Sequence, residues 1–300
     1  MGKEKIAVTG ANGFIGSHLC HYLTSEGYQV IPLILKGKIS EGGGERRSDV
    51  TNSKKIAYDL YDADIVVHLA AISNPSECTS DFENAYRINV EGTRHVVKAS
   101  KSKRMIFASS AYVYGQPGNN GVCSEDDRLL GKSPYAITKI LGETICNNYS
   151  WNYQHEINIV RFFNLFGENQ PENYIIPTII TQALMKKKVT IRNTQIIRDF
   201  LYIDDAVKAI LAVIKHGKSG ETYNIGSGKG TAIAHIVDYI ASRIVDLTIE
   251  DLKMSGSEPK SMIANISKIK EIGWKQSTSL NAGLDKMIEF ISKNKISTYA

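Results

Sequence analysis

The stretch Thr9-Gly10-Ala11-Asn12-Gly13-Phe14-Ile15-Gly16 decides the fold of this 300-residue chain. It follows a short β-rich run at residues 6–8 and opens a helical pattern over residues 14–25. Glycines in such a turn let the backbone bend tightly and approach a pyrophosphate, whose charge meets the unpaired N–H groups of the helix N-terminus. Because the turn lies at the start of a βαβ unit, the sequence predicts a dinucleotide-binding site here.

Short β-rich runs alternate with longer helical patterns through the first half of the chain. Further strands are predicted at 29–35, 64–69, 105–108 and 157–162, and further helices at 81–99 and 134–150. This alternation predicts an α/β fold of Rossmann type, which is a doubly wound parallel sheet with helices on both faces. After Gly167 the rhythm changes, with a helix to Lys187, a strand at 199–203 and a helical tail from Thr231.

The change of rhythm indicates two domains with a ligand cleft between them. We expect a dinucleotide-binding Rossmann domain at residues 1–166 plus a returning segment at 194–223. A smaller α/β substrate-binding domain would then take residues 167–193 plus 224–300.

Composition and charge exclude several classes of protein. Hydrophobic residues make up 42% of the chain and charged residues 22%, which is typical of a globular protein rather than a disordered one. The longest apolar run, residues 30–35, is far shorter than the roughly 20 residues of a membrane span, and no signal-peptide core precedes Gly10. We therefore expect a cytoplasmic protein without a membrane partner. The net charge of +5 comes with no broad basic stripe, so no nucleic-acid partner is expected, and the spacing of the four cysteines and seven histidines predicts no metal site.

Three residues in the middle of the chain indicate acid–base chemistry. Ser110 lies just beyond the strand predicted at 105–108, and loops at the carboxyl ends of such strands hold ligands. Tyr135 and Lys139 are four residues apart and share one helix face, and no other of the fifteen tyrosines is followed by lysine at this spacing. A free phenol has a pKa of ~10, which a fixed neighbouring cation and a positive nicotinamide would lower. The pattern predicts Tyr135 as a general base, with Lys139 lowering its pKa and Ser110 orienting the substrate oxygen.

Seven motifs follow one another in an order that points to a family. They are TGANGFIG at 9–16, HLAA at 68–71, NVEGT at 89–93, SSAYVYG at 109–115, YAITK at 135–139, RFFNLFG at 161–167 and RDFLYIDD at 198–205. In these motifs the chain resembles the extended short-chain dehydrogenases/reductases. It is similar to their NAD-dependent nucleotide-sugar epimerase/dehydratase family, of the UDP-glucose 4-epimerase kind, over nearly its whole length.

The resemblance implies a role for each matching residue. The catalytic residues would be Ser110, Tyr135 and Lys139. The cofactor, NAD, would contact Gly10, Gly13, Phe14, Ile15, Gly16, Asp49, Val50, Leu69, Ala70 and Ala71, together with Tyr135 and Lys139. The substrate, a nucleotide-diphosphate sugar, would contact Ser110, Asn164 and Arg198. The resemblance also implies a homodimer in which the helices at 81–99 and 134–150 form a four-helix bundle.

Three departures from the family pattern bear on the substrate side of the site. Ala111 and Tyr112 stand where related sugar 4,6-dehydratases carry an Asp-Glu pair, so loss of water by that route is not expected. Ser255 stands where a second diphosphate-binding arginine is expected, and Lys253 or Lys260 would have to replace it. The segment 192–195 replaces a glycine-rich turn before Arg198, which implies an altered nucleotide pocket.

A fourth departure concerns the choice of cofactor. The acidic residue that would hold the adenosine ribose is missing near Ile34, at the end of the second strand. Four basic residues lie nearby in the sequence, namely Lys36, Lys38, Arg46 and Arg47. The sequence therefore leaves NADP open beside NAD.

The function expected from the sequence is NAD-dependent 4-epimerisation of a nucleotide-diphosphate sugar through a 4-keto intermediate. The alternative enzyme is an NADP-dependent reductase of a 4-keto-6-deoxy nucleotide sugar, which uses the same three catalytic residues. A minor alternative is a non-catalytic dinucleotide-sensing protein, which would have no reason to keep Ser110, Tyr135 and Lys139 together. The nucleotide base and the sugar stay open at this point.

Overall fold

A computed structural model describes residues 4–37, 44–101, 103–118, 120–244, 246–254 and 259–299. Its strands are β1 (Lys5–Thr9), β2 (Gln29–Ile34), β3 (Arg46–Arg47), β4 (Ile65–His68), β5 (Arg104–Ser110), β6 (Val122–Cys123), β7 (Ile157–Phe162), β8 (Asn164–Phe166), β9 (Lys188–Ile191), β10 (Ile197–Tyr202), β11 (Thr222–Ile225), β12 (Gly230–Ala232), β13 (Thr248–Asp251) and β14 (Ser261–Ala264).

The α-helices follow the strands in the alternation expected from the sequence. They are α1 (Phe14–Ser25), α2 (Ser53–Asp59), α3 (Pro75–Ser80), α4 (Phe82–Tyr86), α5 (Gly92–Ala99), α6 (Pro134–Tyr153), α7 (Ile175–Lys186), α8 (Ile203–His216), α9 (Ile233–Ala241), α10 (Ser267–Glu271) and α11 (Leu280–Tyr299). Over the ranges given above, no helix combines the length and the apolar character that crossing a membrane requires.

Seven strands form one parallel sheet in the order β11-β7-β5-β4-β1-β2-β3. The order reverses between β1 and its neighbour β4, and ligands of such sheets bind at the carboxyl ends of the strands beside this reversal. The sheet confirms the predicted α/β fold with a doubly wound parallel sheet.

Alternate residues of the strands feed two apolar cores on opposite faces of this sheet. Ile6 and Val8 of β1 pack into one core and Ala7 into the other. Helices α1 and α8 complete the first core, and α2, α5 and α6 complete the second. Every residue of β4 and β7 is buried, as expected for a sheet covered on both faces.

A smaller sheet has the order β12-β10-β14-β6, with β8 also paired to β10, while β9 pairs with β13. The predicted returning segment 194–223 contributes to both sheets, because β10 belongs to the small sheet and β11 to the large one. The strand predicted at 199–203 is β10, which begins at Ile197. The division into two domains stays a prediction.

The structure differs from the sequence prediction in two helices. The helix predicted over 81–99 is divided by a π-helical turn, Arg87–Glu91, between α4 and α5. This turn holds the buried Asn89 side chain, whose amide nitrogen donates to the carbonyl oxygen of Ile72 at 3.0 Å and to Oγ1 of Thr138 at 3.1 Å. The helical tail predicted from Thr231 begins at Ile233 instead, because residues 230–232 pair antiparallel with β10. It is also not helical throughout, since β13 and β14 interrupt it to pair with β9 and with β6 and β10.

Helix α6 packs against β5 through a glycine. A Cβ atom on Gly142 would lie 2.5 Å from Cζ of Phe107, whose ring is fully buried. The same ring lies 5.3 Å from Nζ of Lys139. Gly142 therefore sets the spacing between the helix that carries Lys139 and the strand that ends at Ser110.

Replacing Gly142 with alanine should lower the free energy of unfolding by about 1–2 kcal/mol. Overpacking a core typically costs about 1–3 kcal/mol, which exceeds the gain in helix propensity of up to about 1 kcal/mol. Urea titration followed by circular dichroism measures the change. The control is Asn148→Ala, at an exposed position of the same helix, which should be neutral or stabilising. Equal unfolding midpoints for Gly142→Ala and the wild type would contradict this account of the α6–β5 contact.

Candidate active site

The turn between β1 and α1 approaches the end of β4 too closely for any residue but glycine. Gly10 has a φ angle of +69°, and a Cβ atom on it would lie 2.9 Å from the N and Cα atoms of Ala70. A Cβ atom on Gly16 would overlap the carbonyl oxygen of Gly10. Among the described residues, no side chain caps α1 and no acidic residue lies in its first turn, so its positive end suits an anion such as a pyrophosphate.

A chain of hydrogen bonds fixes the end of β4, where Leu69, Ala70 and Ala71 lie half-buried. Oγ1 of Thr9 accepts from the amides of Leu69 and Ala70 at 3.2 and 3.1 Å and lies 2.7 Å from Nδ1 of His68. The hydroxyl of Thr93 donates to a backbone carbonyl, so Nε2 of His68 donates to Oγ1 of Thr93 at 3.1 Å. Because Oγ1 of Thr9 already accepts from two amides, its hydroxyl donates to Nδ1, and the ring is neutral. Burial, with the charge of Lys139 nearby, lowers the pKa of His68 to about 3.

Ser110, Tyr135 and Lys139 come together at the carboxyl end of β5, and all three are buried. A side-chain hydrogen bond joins Ser110 to the phenol of Tyr135. Nζ of Lys139 donates to the carbonyl oxygen of Ala108 at 2.8 Å and lies 6.0 Å from the centroid of the Tyr135 ring. The structure thus assembles the three residues that the sequence predicts to be catalytic.

The pKa values of this group differ from the prediction in one respect. Burial raises the pKa of Tyr135, and the hydrogen bond from Ser110 only partly opposes it. Burial also lowers the pKa of Lys139 to about 8, against the opposing influence of Cys78, Cys146 and Glu143. In the protein alone, desolvation of the phenol decides the direction of the shift, and the lowering expected from Lys139 together with a bound nicotinamide stays a prediction.

Asp49 and Val50 follow β3 at the same edge of the sheet. Oδ1 of Asp49 accepts from the backbone nitrogen and the hydroxyl of Thr51 at 2.9 and 2.8 Å, so this carboxylate stabilises the turn before α2. Val50 is buried, and its carbonyl oxygen lies 3.0 Å from Nδ1 of His95. Their contact with an adenine stays a prediction.

The basic residues near the end of β2 differ in their availability. Arg46 is committed to a bidentate ion pair with Asp62, at 2.8 and 3.0 Å, and to the carbonyl oxygen of Asp59 at 2.9 Å. Lys36 and Arg47 are exposed, and Lys38 lies outside the described residues. Within the described part of the chain, the basic side chains near the end of β2 that could bind a 2′-phosphate are therefore the exposed ones, Lys36 and Arg47.

Asn164 and Arg198 lie on adjacent strands of the small sheet. Asn164 begins β8 and is half-buried, and β8 pairs in parallel with β10, which carries Arg198. One guanidinium nitrogen of Arg198 donates to the carbonyl oxygens of Ile197 and Pro259, both at 2.9 Å. The structure therefore brings the two predicted substrate residues together, on the sheet that does not carry the three catalytic candidates.

Two further positions at which the sequence departs from the family pattern concern the nucleotide pocket. Ser255 lies outside the described residues, and the side chains of its two possible substitutes, Lys253 and Lys260, are exposed. The segment 192–195 is fixed to β13, because the hydroxyl of Thr194 donates to Oδ2 of Asp251 at 2.6 Å. A hydroxyl-to-carboxylate bond thus holds the turn where the family has glycines.

An aromatic side chain faces Tyr135 at the position of the missing acid pair. Ala111 and Tyr112 open a 3₁₀ turn after Ser110, whose hydroxyl oxygen accepts from the amide of Tyr112 at 3.3 Å. The rings of Tyr112 and Tyr135 meet edge to face with centroids 5.7 Å apart. Tyr112 is 39% exposed, so its ring also borders solvent.

Among the residues that the structure describes, no group of His, Cys, Asp and Glu side chains is arranged to hold a metal ion. The four cysteines are free thiols, and all of them are buried. Burial raises the pKa of Cys20 and of Cys123 to about 12, which leaves these thiols protonated.

The buried polar residues that hold α6 in place were not predicted from the sequence. Asn89 links α6 to the loop after β4, as described above. Glu143 and Arg161 form a buried ion pair with Nη2 and Oε2 2.8 Å apart. Asn89 and Arg161 stand inside two of the quoted motifs, and Glu143 follows Lys139 by one helical turn, which was the available signal.

The chain belongs to the NAD dependent epimerase/dehydratase family, whose model matches residues 6–226. It is 34% identical over 313 residues to the uncharacterized UDP-glucose epimerase YtcB of Bacillus subtilis, with 96% of this chain and 98% of the relative covered. It is 29% identical over 318 residues to a UDP-N-acetyl-alpha-D-glucosaminuronate decarboxylase of Bacillus cytotoxicus, with coverage of 96% and 98%.

A solved structure gives the same match in three dimensions. The UDP-glucuronic acid 4-epimerase of Bacillus cereus, in complex with UDP-glucuronic acid and NAD, is 31% identical, with a TM-score of 0.88 and coverage of 97% of this chain and 99% of that one. The family confirms the resemblance drawn from the motifs. Because these relatives include epimerases and a decarboxylase, the family defines an NAD-dependent enzyme class acting on nucleotide sugars rather than one reaction.

Replacing Tyr135 with phenylalanine should lower turnover by at least the ~10²-fold typical of a lost general base, while cofactor binding is retained. The variant keeps the buried ring and removes only the phenol oxygen. Tyr149→Phe, the same change on the same helix, is the control and should turn over normally. Steady-state rates on the true substrate check the prediction, and a Tyr135→Phe rate within threefold of the wild type would assign the base to another group.

Proposed function

We propose that the protein catalyses the NAD-dependent 4-epimerisation of a nucleotide-diphosphate sugar through a 4-keto intermediate. The observation that carries this proposal is the buried group of Ser110, Tyr135 and Lys139 with no carboxylate at positions 111 and 112. Such a group suits the removal and return of one proton at a sugar hydroxyl, and it lacks the acid pair for eliminating water. The likeness to a UDP-glucuronic acid 4-epimerase supports the same choice.

Each residue of the candidate site has its own role in this reaction. Tyr135 takes the proton of the sugar 4-hydroxyl and later returns it, while Ser110 hydrogen-bonds the same oxygen. Lys139, whose pKa is about 8, is mainly protonated at neutral pH and places a positive charge beside the phenol. The glycine turn at Gly10 and Gly16 and the N-terminus of α1 would hold the cofactor pyrophosphate. Bound NAD supplies a reversible hydride acceptor for the sugar C4.

NAD is the preferred cofactor in this proposal because of the pairing of Arg46. Its guanidinium already satisfies the Asp62 carboxylate, and a 2′-phosphate would have to compete with that bidentate pair. The exposed side chains of Lys36 and Arg47 would lose conformational freedom and hydration on binding a phosphate.

The competing function is the NADP-dependent reduction of a 4-keto-6-deoxy nucleotide sugar. The observation in its favour is the missing carboxylate near Ile34, a fully buried apolar residue. The assembly of Ser110, Tyr135 and Lys139 in one buried group opposes the non-catalytic, dinucleotide-sensing alternative, because sensing needs no general base.

A homodimer is part of the proposal. Phe82 and Tyr86 of α4 and Ile137 of α6 are apolar or aromatic residues with exposed fractions of 37%, 37% and 38%. The two helices contact each other, and the rings of Phe82 and Tyr86 lie 6.3 Å apart. A second copy of the chain would cover these side chains in a four-helix bundle.

The purified protein should carry NAD and should interconvert a nucleotide sugar with its 4-epimer without added cofactor. An epimerase returns the hydride that it takes, so its cofactor never has to leave, whereas a reductase must exchange its cofactor in every cycle. Mass spectrometry of the released cofactor and chromatography of the sugar nucleotides measure both properties. A protein that is isolated empty, prefers NADPH more than tenfold and consumes it with a 4-keto sugar nucleotide is the reductase instead.

Replacing Arg198 with lysine should weaken the binding of a nucleoside diphosphate by about 1.5–3 kcal/mol. A guanidinium meets phosphate oxygens with two parallel donors, and an ammonium group cannot copy this geometry. Calorimetric titration with UDP and with other nucleoside diphosphates gives the dissociation constants. Lys229→Arg, an exchange in the loop before β12, is the control, and an unchanged constant for Arg198→Lys would remove this residue from the site.

A further inference from the structure

Glu143 is a fully buried carboxylate on the catalytic helix α6. Its Oε1 accepts from Nε of Arg161 at 2.9 Å and from the hydroxyl of Ser109 at 2.5 Å, and its Oε2 accepts from Nη2 of Arg161 at 2.8 Å. Glu143 and Arg161 are 1% and 5% exposed. Three donors therefore converge on one carboxylate in the interior, from β5 and from β7.

Glu143 is connected to Tyr135 and Lys139 through the helix and to Ser110 through the neighbouring residue Ser109. Tyr135, Lys139 and Glu143 follow one another at intervals of four residues and so share one face of α6. Ser109, which donates to Glu143, directly precedes Ser110 on β5. The carboxylate thus fixes the rotation of α6 against the strand from which the hydroxyl of Ser110 projects.

The other end of the ion pair reaches the small sheet. Nη1 of Arg161 donates to the phenol oxygen of Tyr114 at 3.0 Å, and this phenol donates to Oδ1 of Asn224 at 2.6 Å. The amide nitrogen of Asn224 donates to the carbonyl oxygen of Cys123, in β6, at 3.0 Å. One buried chain of hydrogen bonds therefore runs from the catalytic helix to the sheet that carries Arg198.

Glu143 also differs in charge from the other groups around Lys139. Those groups are Tyr135, Glu143 and Cys146 on α6, Cys78 on α3, His68 on β4 and the carbonyl oxygen of Ala108 on β5. Burial raises the pKa of both thiols, and the imidazole of His68 is neutral. Within the described part of the chain, Glu143 is thus the one carboxylate among these groups, one helical turn from Lys139 on the same face of α6.

Stability alone does not explain this arrangement. Removing two ions from water is costly, and an apolar pair of similar volume often makes a protein equally or more stable. We propose that Glu143 is a positioning residue, which holds Tyr135 and Lys139 against Ser110 through Arg161 and Ser109 and places a carboxylate on the helix face that carries Lys139. The inference rests on the proposed function for its kinetic part only.

The first test replaces Glu143 with glutamine and follows the charge of Lys139 directly. The loss of the negative neighbour favours the neutral amine, so the pKa of Lys139 should fall. Nuclear magnetic resonance of protein with ¹³C-labelled lysine, assigned with Lys139→Met, measures this titration without any substrate. An unchanged Lys139 titration in folded Glu143→Gln would overturn the inference.

The second test is kinetic. Activity is lost as the pH rises through the pKa of Lys139, so the alkaline limb of the rate profile should move to lower pH in Glu143→Gln by the same amount. Misplacement of the base should lower kcat about 10-fold to 100-fold while KM for the nucleotide sugar changes less than threefold. An effect on KM alone contradicts a positioning role. If the Lys139 titration shifts but the protein has no epimerase activity, the proposed function is wrong and the inference about Glu143 is still supported.

Two further variants separate positioning from folding. Glu143→Gln leaves the guanidinium of Arg161 buried and unpaired, which lowers the thermal midpoint. The double variant Glu143→Gln/Arg161→Met removes both charges and should recover the midpoint but neither kcat nor the alkaline limb. Asp205→Asn is the matched control, since Asp205 is another fully buried carboxylate, held by Ser277 and Thr278, and it should lower the midpoint without moving the limb. Recovery of kcat together with the midpoint in the double variant would show that the ion pair only supports the fold.

Discussion

The close approach of Gly10 to Ala70 is the constraint on which the site depends. β1 is hydrogen-bonded to β2 on one side and to β4 on the other, so the order of the sheet reverses beside it. Any side chain at position 10 would strike the backbone at the end of β4. Because Thr9 binds the two amides that follow His68, the turn and the end of β4 form one rigid edge. The exposed donors of α1 can therefore be aimed at a ligand without further ordering.

The second constraint is the docking of α6 on β5, since it places the phenol of Tyr135 and the ammonium of Lys139 at that edge. Gly142 allows the approach, Lys139 is anchored to the carbonyl oxygen of Ala108, and the Ser109–Glu143 bond fixes the rotation of the helix. The polar contacts are all buried, so water cannot replace them when a substrate enters or leaves. The geometry of Ser110, Tyr135 and Lys139 thus depends on the large sheet, while the predicted substrate residues Asn164 and Arg198 lie on the small one.

Local sequence patterns were enough to predict most of the fold and part of the candidate site. The glycine turn and the Tyr135–Lys139 spacing are local signals, because a turn or a single helix face expresses them, and they predicted the parallel sheet and the assembly of the catalytic group. The π-helical turn at Asn89 was missed, since its stabilising contacts, with Ile72 and Thr138, are distant in sequence. The pairing of Arg46 with Asp62 was missed for the same reason. The raised pKa of Tyr135 reflects its degree of burial, which no sequence spacing encodes.

Burial acts in opposite directions on the pKa values of Tyr135 and Lys139, because the phenol is charged when deprotonated and the amine when protonated. Burial favours the neutral form of both groups, so it raises the pKa of the Tyr135 phenol and lowers that of the Lys139 ammonium. The lysine stays mainly protonated at neutral pH, because its pKa begins far above 7 and falls only to about 8. The tyrosine has no such reserve, and its pKa moves further from neutrality. An additional positive charge in the cleft would favour the phenolate form. A cationic group bound beside the phenol would therefore couple the ionisation of Tyr135, the proposed base, to occupation of the cleft.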